Sequence, residues 1–195
     1  MTKQELTALL AAEKRLYMGE NKRKRRQMKY ACHKRYCIWR ALRDFRLAQF
    51  YNERREDRSG GTGQRNAARL LFRYYDRRRN RFGAAAGIEI GLGSRIGQCP
   101  DIWHGNIVIN GALGDNCILH GANVIGNKGK SGHGQTPVIG NGVDIGAGAI
   151  LIGDIRIADG CVIGAGAVVT RSCDVPGSVL VGVPAHRIDS EQKGR

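Results

Sequence analysis

Beginning at Ile139 the sequence divides into consecutive sixes, Ile-Gly-Asn-Gly-Val-Asp, Ile-Gly-Ala-Gly-Ala-Ile and onward to Val-Gly-Val-Pro-Ala-His, and every sixth residue from Ile139 through Val181 is aliphatic. The same spacing governs Leu113, Leu119 and Ile125, and an offset copy governs Ile90, Ile96 and Ile102. A helix repeats near 3.6 residues and a simple strand every two, so a period of six belongs to neither. It fits a coil of three short strands per turn, with the aliphatic residue pointing inward at each flat face and Gly or Ala at the tight corners. Three sixes make a coil of roughly 18 residues, so the stretch from Ile90 to about Leu180 predicts roughly five stacked coils. Parallel stacking would satisfy the backbone between coils and bury the aliphatic columns.

The period fails at residues 127–137, Asn-Lys-Gly-Lys-Ser-Gly-His-Gly-Gln-Thr-Pro, which hold no aliphatic side chain. This segment reads as a loop extruded from a coil, and long loops on rigid scaffolds carry function more often than not.

Charge divides the chain in two. Of the 32 Lys and Arg and 17 Asp and Glu in its 195 residues, residues 1–82 hold 24 and 8, a net +16; the remainder holds 8 and 9, a net −1. The basic part reads as helical. Thr2 and Glu5 have capping-box spacing, followed by Leu6, Leu9, Leu10, Leu16 and Tyr17 on one face and Gly19 as a stop. A second helix is expected from about Lys29 to Glu56, interrupted by Gly60, Gly61 and Gly63, and a third carries the stripe Ala67, Leu70, Leu71, Tyr74 and Tyr75. The runs Lys22 to Lys29 and Arg77 to Arg79 suit an anionic surface or a plain solvated face; no base-reading motif accompanies them, so nucleic acid is not expected.

The expected organisation is therefore a basic α-helical region over 1–82, a parallel β-helix over 83–188 with the extruded loop, and a tail over 189–195. The six cysteines show no C-x-x-C pair and no histidine at ligand spacing, which points to free thiols and no metal. The first residues lack a secretory leader and no stretch is long and apolar enough to span a bilayer, so a cytoplasmic protein is expected.

The segment from Gly87 to Ile188 resembles the hexapeptide-repeat acyltransferases, whose fold is a left-handed parallel β-helix. The likeness is to the serine acetyltransferase branch and its relatives from surface-polysaccharide clusters. It is carried by Ile145-Gly-Ala-Gly-Ala, by Ile163-Gly-Ala-Gly-Ala-Val-Val and by the closing Gly182-Val-Pro-Ala-His-Arg-Ile, and covers about half the chain. The resemblance implies acetyl-CoA as cosubstrate, no metal, and a homotrimer that the helices can join into a dimer of trimers. It matches the catalytic base to His104 and its orienting carboxylate to Glu89. It also matches the acetyl-CoA groove to Gly126, Asn127, Ala147 and Ala165, with Lys128, Lys130 and Arg187 as partners for the nucleotide phosphates. Asp101, Trp103, His120 and His133 are the candidate acceptor-binding residues.

The sequence departs from the serine enzymes at two places. Gly134-Gln135-Thr136 stands where they have Asp-Arg-His before the proline, and Trp103 replaces the Asp that precedes the base. An indole beside the base suits a sugar ring, so the reading is acetyl transfer to a saccharide hydroxyl. Serine O-acetylation is the alternative, N-acetylation of a nucleotide sugar is also open, and a non-catalytic trimeric scaffold is the rival from another class. A zinc enzyme on this fold would need three converging histidines, and His104, His120 and His133 lack that spacing.

Overall fold

The computed structural model of the chain describes residues 1–57, 59, 61–129 and 135–188. It divides into two compact units, Met1–Ile88 and Glu89–Arg195. The proposed tail 189–195, together with Lys130 and His133, lies outside the described residues.

Among its described residues the first unit holds four helices. Helix α1 (Lys3–Met18) opens with a complete capping box between Thr2 and Glu5 and closes at Gly19, as its sequence predicts. The single helix expected from about Lys29 to Glu56 is instead two, α2 (Lys22–Tyr30) and α3 (Lys34–Glu56). The break lies at residues 31–33, where Cys32 adopts a left-handed backbone (φ 45°) and His33 Nδ1 accepts the Arg35 N–H to cap the new helix. Helix α4 (Thr62–Ala86) starts just after Gly61, includes Gly63 and runs past the charge boundary near residue 83. Its predicted stripe faces inward only at Tyr75, which stacks on Tyr51 of α3. Leu70 is 67% and Tyr74 51% exposed, while Ala68 and Phe72 take the buried side.

Leu6, Tyr17, Ile38, Leu42, Phe45 and Ala48 form the core of this unit. Glu13 and Arg46 are buried within it and meet at 2.8 Å. Removing one partner of such a pair strands the other charge in an apolar setting. Arg46→Met is therefore expected to destabilise the helical unit by about 3–5 kcal/mol, read as a lower midpoint in urea unfolding.

The second unit is a parallel β-helix, built as the period of six requires. Its strands are β1 (Ile88–Ile90), β2 (Arg95–Ile96), β3 (Asp101–Ile102), β4 (Ile107–Ile109), β5 (Ala112–Leu113), β6 (Ile118–Leu119), β7 (Val124–Gly126), β8 (Val138–Ile139), β9 (Asp144–Ile145), β10 (Ile150–Ile152), β11 (Arg156–Ile157), β12 (Val162–Ile163), β13 (Val168–Val169), β14 (Val179–Gly182) and β15 (Ala185–Ile188). They stack as three faces of about five coils: β1-β4-β7-β10-β13, β2-β5-β8-β11 and β3-β6-β9-β12-β14, the last extended by β15. Strand β15 alone runs antiparallel, folding back on β14.

Two residues of each hexad point inward. The aliphatic one (Ile139, Ile145, Leu151, Ile157, Ile163) is joined by the residue two before it (Val143, Ala149, Ile155, Cys161), and both rows are buried. Four of the six free cysteines (Cys37, Cys117, Cys161, Cys173) are buried. Desolvation raises the thiol pKa at Cys37, Cys117 and Cys161, which makes them inert core side chains.

The strict phase fails in the last coil. Val175 is 49% exposed, and Leu180 rather than Val181 enters the core. The final turn is one residue short: Ile163 pairs with Leu180, 17 residues on, where Ile145 pairs with Ile163, 18 on. The opposite irregularity lies between β7 and β8. Leu113 pairs with Ile139, 26 residues on, so this turn is eight residues longer than the 18 between Ile139 and Ile157, and the excess falls within 127–137.

Corners are fixed by side chains as well as by glycine. Asp115 accepts the Gln98 N–H, Asn141 accepts that of Asp115 and Asp159 accepts that of Asn141, at 2.6, 2.8 and 2.7 Å. Among the described residues no helix is long and apolar enough to cross a membrane, and no three His, Cys, Asp or Glu side chains converge to hold a metal ion.

Candidate active site

One edge of the β-helix gathers the chemistry. His104 lies in the corner between β3 and β4, exposed, and its side chain has no hydrogen-bond or ion-pair partner among the described residues. The corners of successive coils stack beneath it through backbone bonds: Ala122 N–H to Gly105 O, Gly148 N–H to Gly121 O, and Gly166 N–H to Ala147 O. His104, Ala147 and Ala165 thus share an edge, with both alanines exposed.

The edge is made of small residues because each corner presses on the next. A Cβ on Gly121 would lie 2.6 Å from His104 Cβ, and one on Gly146 would lie 2.6 Å from Ala165 N. Gly121 has φ +122°, outside the range of ordinary side chains. It is held there by Asn123, fully buried, whose Oδ1 accepts the Gly121 N–H at 2.9 Å while Nδ2 donates to Gly146 O at 2.7 Å. Gly121 and Asn123 are therefore positioning residues for the His104 corner, and sequence reasoning did not assign them that role. A signal was present: Asn123 occupies the inward position two before Ile125, where the later coils carry Val143, Ala149, Ile155 and Cys161.

Beside this edge, on the outer side of the β3-β6-β9 face, is a polar cluster. Trp103 Nε1 donates to Asp101 Oδ2 at 2.9 Å, the indole lies 4.3 Å from the His120 ring centroid, and His120 Nε2 meets Asp144 Oδ1 at 2.8 Å. Three of the candidate acceptor-binding residues, Asp101, Trp103 and His120, thus lie in contact with one another. Asp144 is an addition, visible only once His120 is placed one coil above it.

The remaining candidates lie elsewhere on the same chain. Glu89 sits at the exposed centre of β1, the strand next to β4, and is not hydrogen-bonded to His104. Gly126, Asn127 and Lys128 occupy the corner after β7, across the β7-β10 face from the His104 edge, with the Lys128 side chain lying over Gly153. Arg187 lies on β15 opposite Leu180. Within one chain the groove residues are thus split between two edges.

Residues 136–171 match the bacterial transferase hexapeptide family (six repeats). Over those residues the coils of this β-helix are similar to the repeats of the bacterial hexapeptide transferases. The serine acetyltransferase of Synechococcus elongatus is 40% identical over 106 residues, 52% of this chain and 43% of its own length. The structure of Neisseria gonorrhoeae serine acetyltransferase superposes with a TM-score of 0.67 at 25% identity, covering 96% of this chain and 68% of that one. The serine acetyltransferase of Brucella abortus in complex with coenzyme A also superposes with a TM-score of 0.67 at 25% identity, over 95% and 68%. The chain spans about half the length of the curated relatives it matches. All of these hexapeptide-repeat relatives are serine enzymes, so the surface-polysaccharide likeness finds no support among them.

Proposed function

We propose that this chain is an acetyl-CoA-dependent O-acetyltransferase with His104 as general base and serine as its acceptor. The observation that carries the reading is the position of His104: exposed, without a partner among the described residues, and at the head of an edge that also presents the exposed Ala147 and Ala165. The resemblance to serine acetyltransferases over the β-helix favours serine.

An acceptor hydroxyl is a poor nucleophile near neutral pH because it holds its proton. A neutral imidazole within hydrogen-bond reach removes that proton as the oxygen attacks. His104 is free to do this because no group among the described residues occupies its ring nitrogens. Glu89, exposed on the neighbouring strand, is proposed to accept from the second ring nitrogen, fixing the tautomer and stabilising the imidazolium.

Acetyl-CoA supplies the thioester carbonyl. The exposed Ala147 and Ala165 are proposed to leave room for its narrow pantetheine arm, on corners that the tightly packed Gly121, Gly146 and Gly164 hold in place. Because Gly126, Asn127 and Lys128 lie on a different edge, a complete groove is proposed to form between neighbouring subunits of a homotrimer, one chain lending each edge. Arg187 is proposed as a phosphate partner.

A second reading, a saccharide acceptor, is favoured by one observation. Trp103 is 44% exposed, and Asp101 and His120 hold it in place, as a sugar-stacking platform requires.

Free CoA release from acetyl-CoA separates the two, with L-serine and then a panel of sugars and nucleotide sugars as acceptors. Serine-dependent release is expected. Release with a sugar alone would move the assignment to the second reading. Absence of release with every acceptor, together with no acetyl-CoA binding by calorimetry, would sink both and leave the trimeric scaffold.

A further inference from the structure

Helices α1, α2 and α3 line an open pocket of about 400 Å³ whose walls carry Lys14, Lys22, Arg25, Arg26, Lys29 and Arg40 and no acidic residue. That volume lies in the range of small-molecule sites. Lys22, Arg25, Arg26 and Lys29 recur at i, i+3, i+4 and i+7, so one face of α2 delivers all four to the same space. We propose that this pocket binds a small, soluble, multiply charged phosphate-bearing anion, at a site separate from the acetyl-transfer edge.

Three observations support an anion there. First, α2 is electrostatically adverse without one: six of its nine residues are cationic, its first turn has no acid, and three of its cations sit at the end where the helix dipole is already positive. Secondly, no acidic side chain among the described residues pairs with the cations of this face. Lys22 and Lys29 have no ion pair among the described residues, and Arg25 donates only to the Glu20 carbonyl oxygen.

Thirdly, two donors of wall residues, Trp39 Nε1 and Arg40 Nε, are shielded from solvent and lack a hydrogen-bond partner among the described residues. Buried donors are ordinarily satisfied, and a small rearrangement of the wall around an entering oxyanion would give these two an acceptor. The Trp39 and Tyr36 rings, with centroids 6.0 Å apart, form an aromatic wall that gives the site an apolar side. Arg40 is pre-set by donating from Nη1 to the Tyr36 hydroxyl at 2.7 Å.

The site is tested by calorimetry of the full-length protein at about 0.1 M salt, using pyrophosphate, ATP, sulfate, and vesicles of phosphatidylglycerol. Pyrophosphate or ATP is expected to bind at least tenfold more tightly than sulfate. The double variant Lys22→Gln/Arg26→Gln is expected to weaken that binding at least tenfold, and Trp39→Phe to weaken it severalfold. Both substitutions are surface or near-isosteric changes, and circular dichroism confirms that the helices remain.

Phosphate binding no tighter than sulfate would overturn the proposal. So would binding that the α2 variant leaves unchanged, which would assign the phosphates to another part of the chain. Capture by vesicles without binding of the soluble phosphates would overturn it in favour of a lipid surface. Acetyl transfer by the α2 variant is expected to equal that of the parent, so loss of this site and failure of the acetyltransferase reading are read out separately.

Discussion

His104→Ala is expected to lower the rate of acetyl transfer by about 10²- to 10⁴-fold, the range a positioned general base contributes, with the thermal midpoint unchanged within a degree or two. The expectation of unchanged stability has a structural basis. The imidazole is exposed and makes no hydrogen bond or ion pair among the described residues, so its removal leaves no cavity and strands no partner. Steady-state CoA release over a range of acceptor concentrations is the measurement. The fall should appear in kcat more than in acceptor KM, because the imidazole acts on a proton in flight. A variant that retains more than about a tenth of parental kcat would remove His104 from the role of base and leave it a corner residue.

The second large effect is expected one coil away, at a residue that does no chemistry. Gly121→Ala would put a methyl group 2.6 Å from His104 Cβ on a backbone with φ +122°. Backbone strain and overpacking each cost about 1–3 kcal/mol, and misplacing a catalytic group by an ångström costs on the order of 10²-fold in rate. Gly121→Ala should therefore fold with a lowered midpoint and lose activity roughly in proportion to the shift of the His104 corner. Asn123→Ala is the comparison without a clash, since it releases the corner that Asn123 positions. It leaves the Gly121 N–H without its acceptor, at about 1–3 kcal/mol for a stranded donor, while Gly146 O keeps the Ala149 N–H, and it adds no atom against His104. If Gly121→Ala and Asn123→Ala lose stability equally and activity equally, the clash with His104 has no special part in catalysis.

Much of the β-helix was legible because its period is a direct consequence of its geometry: one inward aliphatic side chain for each flat face, repeated from Ile139 to Val169. The phase was misread where the geometry changed. A turn of 17 residues at the end replaced Val181 by Leu180 in the core, and no residue in that stretch advertises the missing position.

The helices were less legible, because their composition is dominated by cations that do not report facing. The stripe from Ala67 to Tyr75 has helical spacing, yet Leu70 and Tyr74 point outward while Ala68 and Phe72 are buried. The break at Cys32 is a single backbone torsion. The candidate site divides in the same way. His104, Asp101, Trp103 and His120 could be named from local motifs, whereas Asp144, Gly121 and Asn123 acquire meaning only from which coil lies above which.

A repeating coil has no internal reason to end. Each turn presents the next with the same row of unpaired backbone groups, and a parallel strand from any source, including a second copy, could continue the stack. Strand β15 changes the direction of the chain on the last of these rows. Having reversed, it offers a following coil the wrong polarity on that face, so the hairpin acts as a terminator written in strand direction rather than in side-chain chemistry. It is one of the features that keep a periodic sequence a molecule of finite length instead of the seed of a fibre.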